Sequence, residues 1–210
     1  ERTLEEVLVE APQGFTVVPA ASGVAQMANL GTAAHLGLVQ AFSALAREID
    51  VMIVDTPAGI GDGVLQFAQA AQHVLLVLTD EPASLTDAYA LVKVLRRNHG
   101  IRRFRVLANL ARNPGDGGSI FRKLDSVASR FLDVTLEYVG EIPHDPWLRR
   151  SVREQRPVSD AYPASPSAQA FKMLASAADK WPVPSGPRGN LEFFVERLVN
   201  RPEPRLEAVS

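Results

Sequence analysis

The chain has 210 residues, of which 46% are hydrophobic and 22% are charged, and its formal net charge is −2. These values are typical of a globular protein with one sizeable core, and the small net charge gives no general attraction to nucleic acid. Cysteine is absent, which excludes disulfides, thiolate catalysis, cysteine-ligated zinc and iron–sulfur clusters among these residues.

The amino-terminal half is predicted to alternate strands and helices, in the order helix 4–10, strand 15–18, helix 33–48, strand 51–55, helix 64–71, strand 73–79 and helix 84–98. The strands at 51–55 and 73–79 are the most distinct, because each is a short apolar run bounded by turn-forming residues. The small residues at 20–31 are expected to form a loop.

The carboxyl-terminal half continues this alternation, with strand 104–107, helix 119–131, strand 136–139, helix 147–154 and helix 167–181. The sequence Asn-Pro-Gly-Asp-Gly-Gly at 113–118 predicts a mobile loop, and 157–166 is expected to be irregular. We expect residues 1–181 to form one domain. A linker at 182–190, a short helix at 191–200 and a disordered tail at 201–210 are expected to follow.

Apolar strands that alternate with helices predict an α/β fold, in which a doubly wound, mostly parallel sheet is covered by helices on both faces. Because crossovers between parallel strands share one hand, all the strands should end at the same edge of the sheet. Polar residues fall at the ends of four of the predicted strands: Asp55, Thr79 to Glu81, Asn109, and Pro143 to Asp145. A ligand crevice is therefore expected at this edge.

Asp55 ends a predicted strand and precedes a loop that contains Pro57, Gly59 and Gly61. A strand that ends in an aspartate before a glycine-rich loop can hold a magnesium ion beside a phosphate. The same aspartate could instead cap the helix that follows, and the glycines could form an ordinary tight turn. From the residues alone, both interpretations remain open.

The chain resembles the MinD/ParA group of deviant P-loop ATPases, and within it the flagellar-number-regulator branch. The similarity covers about residues 1–181 and rests on these stretches: Asp-Thr-Pro-Ala-Gly-Ile at 55–60, Thr-Asp-Glu-Pro-Ala-Ser-Leu-Thr-Asp-Ala at 79–88 and its continuation to 95, Phe-Arg-Val-Leu-Ala-Asn at 104–109, Tyr-Val-Gly-Glu-Ile-Pro at 138–143, Val-Pro-Ala-Ala-Ser-Gly at 18–23 and Asp-Ala-Tyr-Pro at 160–163. The resemblance implies a SIMIBI-type P-loop NTPase fold, here incomplete at its amino end.

The resemblance also implies a nucleotide-binding role for several residues. Asp55 would hold Mg²⁺ through a water, Gly59 and Gly61 would allow the backbone close to the γ-phosphate, and Pro57 would belong to the same cofactor-binding loop. Asn109 would recognise adenine, whose edge an amide can both donate to and accept from; otherwise it is a turn residue. Arg112 would stack over the base, with a solvated loop arginine as the alternative. Backbone groups of three consecutive residues would contact the base: Pro143, His144 and Asp145.

The phosphate-binding motif of this family, GKGGxGKT, does not occur in the 210 residues. Its backbone amides and lysines hold the phosphates, so the catalytic residues stay unknown and we expect this chain alone to be inactive as an ATPase. ATP or ADP and Mg²⁺ are cofactors of the intact family, and we expect none to bind tightly here. The chain opens with Glu1 inside a predicted helix, and we expect it to be a piece of something longer.

Residues 191–200 predict an amphipathic helix whose apolar side carries Leu191, Phe194 and Leu198, with Phe193 on its shoulder. The family has a membrane-targeting helix at this point, and the two phenylalanines suit insertion. The helix has no lysine cluster, which predicts weak, dimer-dependent membrane binding. Docking on a protein surface is the alternative.

The function that the resemblance implies is the control of flagellar number and placement. An ATP-bound homodimer would engage a flagellar master transcription activator of the AAA+ type, and hydrolysis would reset the switch. The expected location is cytoplasmic, with peripheral association at the inner face of the membrane or at the cell pole. Two alternatives remain: a nucleotide-independent protein-interaction module, and a ParA-type partitioning ATPase, against which the absence of a basic stripe counts.

Overall fold

The computed structural model describes residues 4–18 and 49–182. These fall into two compact units, one made of residues 4–18 and 49–72 and the other of residues 73–182. Several predictions lie outside the described residues: the helix at 33–48, most of the linker at 182–190, the amphipathic helix with Leu191, Phe193, Phe194 and Leu198, and the tail. No helix in the described ranges is both long and apolar enough to cross a membrane.

The first unit contains two short helices and a small hairpin. Helix α1 covers Leu4–Val7 and is shorter than the helix predicted over 4–10, because strand β1, Val9–Glu10, begins two residues later. Strand β2, Thr16–Val17, pairs with β1 in antiparallel register. The residues predicted as a strand at 15–18 therefore form part of a hairpin and do not join a parallel sheet. Helix α2 covers Asp62–Ala70.

The predicted strand at 51–55 is wrong. These residues form no strand, and the side chains of Val51 and Ile53 are 75% and 88% exposed. A strand is stable only when neighbouring strands satisfy its backbone groups, and no described segment pairs with 51–55. Apolar composition therefore identified a segment with strand-like residues but not a formed strand.

The second unit is built on three parallel strands: β3, Leu75–Leu78, β4, Arg103–Ala111, and β5, Thr135–Pro143. Their order is β3-β4-β5, with Val77 opposite Leu107 and Phe104 opposite Leu136. Strands β4 and β5 are longer than predicted, because their pairing continues from Arg103 opposite Thr135 to Ala111 opposite Pro143. The α/β fold class with a parallel sheet is confirmed.

Two long helices make the crossovers between these strands. Helix α3 covers Pro82–His99 and helix α4 covers Asp116–Leu132, and the two helices contact each other. Helix α3 begins two residues before the predicted start, with Pro82 at its first position, where a missing N–H costs nothing. Ser84 therefore does not cap the helix, and its hydroxyl instead accepts the N–H of Thr79 at 3.1 Å.

Three more helices follow the sheet: α5, Pro146–Arg153, α6, Val158–Ala161, and α7, Pro166–Ala178. The short helix α6 lies in the segment predicted to be irregular. Ala170 of α7 packs against Leu107 and Ile142. Successive side chains of a strand alternate between faces. Phe104 and Val106 of β4 are therefore buried on one face of the sheet. Arg105 lies on the other face, together with Leu107, which packs against α7. The sheet is thus covered by helices on both faces.

Candidate functional site at the carboxyl ends of the strands

Strand β4 is irregular where it approaches its carboxyl end. Asn109 lies opposite Ile142 and Ala111 opposite Pro143, so Leu110 has no partner on β5. Leu110 has a φ of 60° and is 45% exposed. A non-glycine residue in the left-handed region costs about 1–2 kcal/mol, and such strain and strand bulges are concentrated at functional sites. The irregularity re-aims the residues on either side of Leu110.

Asn109 is held by this irregularity and has free hydrogen-bonding capacity. Its Oδ1 accepts the N–H of Leu110 at 2.9 Å, which fixes the side chain beside the displaced residue. Its amide nitrogen makes no hydrogen bond among the described residues, and the residue is half-buried. A fixed amide with two free donors can read the edge of a flat polar group such as a nucleobase.

The loop after β4 is folded back by the carboxylate of Asp116. Asp116 Oδ2 accepts the N–H of Arg112 at 3.2 Å and the N–H of Asn113 at 2.8 Å. Helix α4 starts at Asp116 and not at Ser119, so the predicted loop at 113–118 is shorter than expected. The backbone of Arg112 is tied down while its side chain stays exposed, available to a ligand or to solvent.

Glu141 of β5 connects this loop to the sheet. Its Oε2 accepts the N–H of Gly117 at 2.8 Å, and its Oε1 accepts the N–H of Gly115 at 3.4 Å. A carboxylate at this position satisfies the unpaired amides of the first helical turn and complements the helix dipole. Burial and the neighbouring Glu141 carboxylate raise the pKa of Tyr138 to about 12. The Tyr138 hydroxyl therefore stays protonated and donates to Glu141 Oε2 at 3.3 Å.

The segment after β5 lies beside the end of β4, because the N–H of His144 donates to the carbonyl of Ala111 at 2.8 Å. The side chain of His144 is exposed, and Pro143 is half-buried. These positions place backbone groups of Pro143 and His144 at the same strand edge as Asn109. The sequence predicted this shared edge, and the binding roles of the three residues remain predictions.

Asp145 is buried, with only 4% of its surface exposed. One carboxylate oxygen accepts the N–H of Trp147 at 2.9 Å and so caps α5, while the other accepts the N–H and the hydroxyl of Ser167 at 3.0 and 2.7 Å. Burial opposes ionisation, but these hydrogen bonds and one from Ser165 outweigh it and hold the pKa of Asp145 below its ordinary value. Both oxygens of Asp145 accept hydrogen bonds within the protein, and the predicted contact of its backbone with a base remains a prediction.

Asp55 belongs to the first unit and is exposed. It does not cap α2, because that helix begins at Asp62 with Gly61 at the cap position, so the capping alternative is wrong. Gly59 has a φ of 103°, which favours glycine. No group of three or more acidic or histidine side chains suited to a metal occurs among the described residues. The roles of Asp55, Pro57 and Gly59 remain predictions.

Three side chains of the site were not identified from the sequence: Asp116, Glu141 and Ser167. Asp116 follows Asn-Pro-Gly, and an acid at the end of such a turn is a signal for a helix start that could have been used. Glu141 and Ser167 act over 24 and 22 residues of sequence, and no local pattern reveals such partners. These groups shape the backbone around Asn109 and Pro143 and do not themselves project into open space.

The second unit thus presents a set of groups suited to a flat polar ring. It offers the Asn109 amide, the exposed Arg112 and the backbone of Pro143 and His144. An adenine base would suit this donor set, with the Asn109 amide on the base edge, and Asp55 of the first unit would by itself offer Mg²⁺ one carboxylate. When bound, Mg²⁺ would neutralise phosphate charge.

Comparison with known proteins gives consistent matches. A family model described as ParA, NUBPL iron-transfer P-loop NTPase, matches residues 31–178. The antiactivator FleN of Pseudomonas aeruginosa is 55% identical over 199 residues, which cover 95% of this chain and 71% of that protein. The flagellum site-determining protein YlxH of Helicobacter pylori is 28% identical over 204 residues, covering 95% of this chain and 68% of that protein.

A solved structure shares the fold. The MinD cell division protein of Aquifex aeolicus matches with a TM-score of 0.59 and 21% sequence identity, covering 87% of this chain and 72% of that chain. At this identity the match concerns the fold alone. It agrees with the parallel sheet and the flanking helices described above.

Proposed function

The chain belongs to the ParA/MinD family of P-loop NTPases, and from this membership we propose that it acts as a nucleotide-dependent regulator of flagellar number and placement. The observation that carries the proposal is its 55% identity to an antiactivator over 95% of its length. A second relative, named for determining the flagellum site, matches over the same share of the chain.

In the proposed mechanism, nucleotide governs whether two copies associate. Asn109 and the backbone of Pro143 and His144 bind the base, Arg112 covers it, and Asp55 holds Mg²⁺ through a water. The ATP state forms a homodimer that restrains a flagellar master transcription activator of the AAA+ type, and ADP releases it. The ligand acts by favouring one of two association states. The proposed location is the cytoplasm, with peripheral contact of residues 191–200 at the inner membrane surface or the cell pole.

Two other activities are less well supported for this chain. Iron–sulfur transfer requires thiolate ligands, and none of the 210 residues is cysteine. Partitioning of DNA requires a basic binding surface, whereas the chain has a net charge of −2. A nucleotide-independent interaction module differs from the proposal in one respect, because its partner binding would not change between ATP and ADP.

Disrupting the gene that encodes this chain should raise the number of flagella per cell or displace them, because the activator would no longer be restrained. Electron microscopy of the disrupted, wild-type and complemented strains measures this directly. Reintroducing the gene should restore the wild-type count. An unchanged flagellar number and position in the disrupted strain would contradict the proposal.

Replacing Asn109 with alanine in the gene's full product should weaken ATP binding about tenfold, because roughly 1.4 kcal/mol of base recognition is lost. Isothermal titration calorimetry measures the change. Asn98→Ala is the matched control, since Asn98 is exposed on α3 and should leave the affinity unchanged. Equal affinities of wild type and N109A for ATP would remove Asn109 from the base site.

A further inference from the structure

The opposite edge of the sheet, where the strands begin, carries a second surface. An open groove of about 910 Å³ lies between the first residues of β4 and β5 and the last turns of α7. Four basic side chains line it against a single carboxylate, Glu137: Arg103, Arg105, Lys172 and Lys180. The residues proposed to bind nucleotide lie at the carboxyl ends of the same strands, so the two surfaces are distinct.

Arg105 is part of the wall of this groove. Its guanidinium lies 4.2 Å from the ring centre of Trp181, its Nη1 is 2.6 Å from Nδ1 of His73, and its Nε is 3.4 Å from Glu137. Burial and the charge of Arg105 lower the pKa of His73, which keeps the ring neutral and able to accept a hydrogen bond from the guanidinium. The ion pair with Arg105 therefore neutralises the carboxylate of Glu137.

The other three cations have no such partner. Arg103, Lys172 and Lys180 form no ion pair with any described residue, and all three are exposed. Between them lie apolar side chains, among which Met173 is 68% exposed. A row of unneutralised cations around an exposed methionine combines a binding surface for carboxylates with a contact for an apolar side chain.

We propose that this groove binds an extended acidic segment of a partner protein, with carboxylates on Arg103, Lys172 and Lys180 and an apolar side chain on Met173. Charge complementarity selects this occupant. Nucleic acid fits less well, because single strands need free aromatic faces for stacking. Arg105 covers Trp181, and Tyr138 packs against Phe121 with ring centres 5.4 Å apart.

Fluorescence anisotropy of the full chain with a labelled decapeptide of glutamate and serine around one central leucine tests the proposal. The Lys172→Glu/Lys180→Glu variant should raise the Kd about tenfold, and added salt should weaken binding to wild type. Lys93→Glu is the matched control, because Lys93 is exposed on α3 away from the groove, and its Kd should equal that of wild type. Unchanged thermal midpoints verify that the variants are folded.

Tryptophan emission gives a separate measurement of where the peptide binds. The chain has two tryptophans, so Trp147→Phe leaves Trp181 as a single reporter in the groove, and its emission should shift when the peptide is added. Four results would overturn the proposal: no binding of the peptide, equal binding of a decapeptide with lysine in place of glutamate, equal weakening by Lys93→Glu, or a single-stranded oligonucleotide that binds more tightly and is lost with the same two lysines.

Discussion

Replacing Asp145 with alanine should lower the free energy of unfolding of the second unit by about 3 kcal/mol. The substitution removes the acceptor of two backbone N–H groups and one hydroxyl in a buried position. Leaving such donors unsatisfied costs about 1–3 kcal/mol each. The substitution also removes the hydrogen bonds that join the cap of α5 to the start of α7. Urea unfolding followed by tryptophan emission measures the loss, since Trp147 and Trp181 both lie in this unit.

The pH dependence of the free energy of unfolding separates the contribution of the Asp145 charge from that of the side chain's shape. The folded pKa of this residue is below the unfolded value of about 3.9. Its contribution should therefore be complete above pH ~4 and should disappear as the pH falls through the folded pKa. Asp145→Asn should lack this acid-dependent loss. Ser165→Ala removes the α7 cap together with the Ser165 hydrogen bond to Asp145, and should cost about 1–2 kcal/mol. Identical pH profiles for wild type and D145N would show that the carboxylate is not ionised in the folded chain.

The sequence predicted most of the second unit because its signals are local. The apolar run before Thr79, Gly100 after the long helix, and the apolar positions of β4 and β5 each indicate their element without distant partners. Strand formation at 51–55 could not be judged in this way. Its residues favour a strand, but a strand also needs neighbours, and pairing is a property of the whole sheet. Strands β1 and β2 have two residues each, which is too short for an alternation of apolar and polar residues to be recognised.

The candidate site shows the same difference between local signals and long-range contacts. Asn109, Pro143 and His144 were identifiable because they lie at or just after the carboxyl ends of β4 and β5. The irregularity at Leu110, which aims Asn109, depends on the register between β4 and β5 and is invisible in either strand alone. The partners of Asp145 and Glu141 are set by tertiary packing for the same reason. Residue types at strand ends can thus be predicted, but the supports that orient them cannot.

Replacing Gly117 with alanine should destabilise the second unit by about 2–3 kcal/mol, although Gly→Ala within a helix is ordinarily stabilising. A Cβ at this position would lie 2.5 Å from the Tyr138 hydroxyl and 2.7 Å from Cβ of Glu141. Because the atoms that it meets include the stem of Glu141, that side chain must move and release the N–H groups of Gly115 and Gly117. Overpacking of this kind typically costs 1–3 kcal/mol.

The neighbouring residue provides the matched control for this prediction. A Cβ at Gly118 would meet only the end of the Arg122 side chain at 3.4 Å, which can move aside. Gly118→Ala should therefore stabilise the unit by about 0.5–1 kcal/mol through the lower entropy of its unfolded state. Opposite signs for G117A and G118A in urea unfolding would show that the Glu141 contact, and not helix propensity, governs this position. A stabilising G117A would mean that Glu141 does not hold the start of α4.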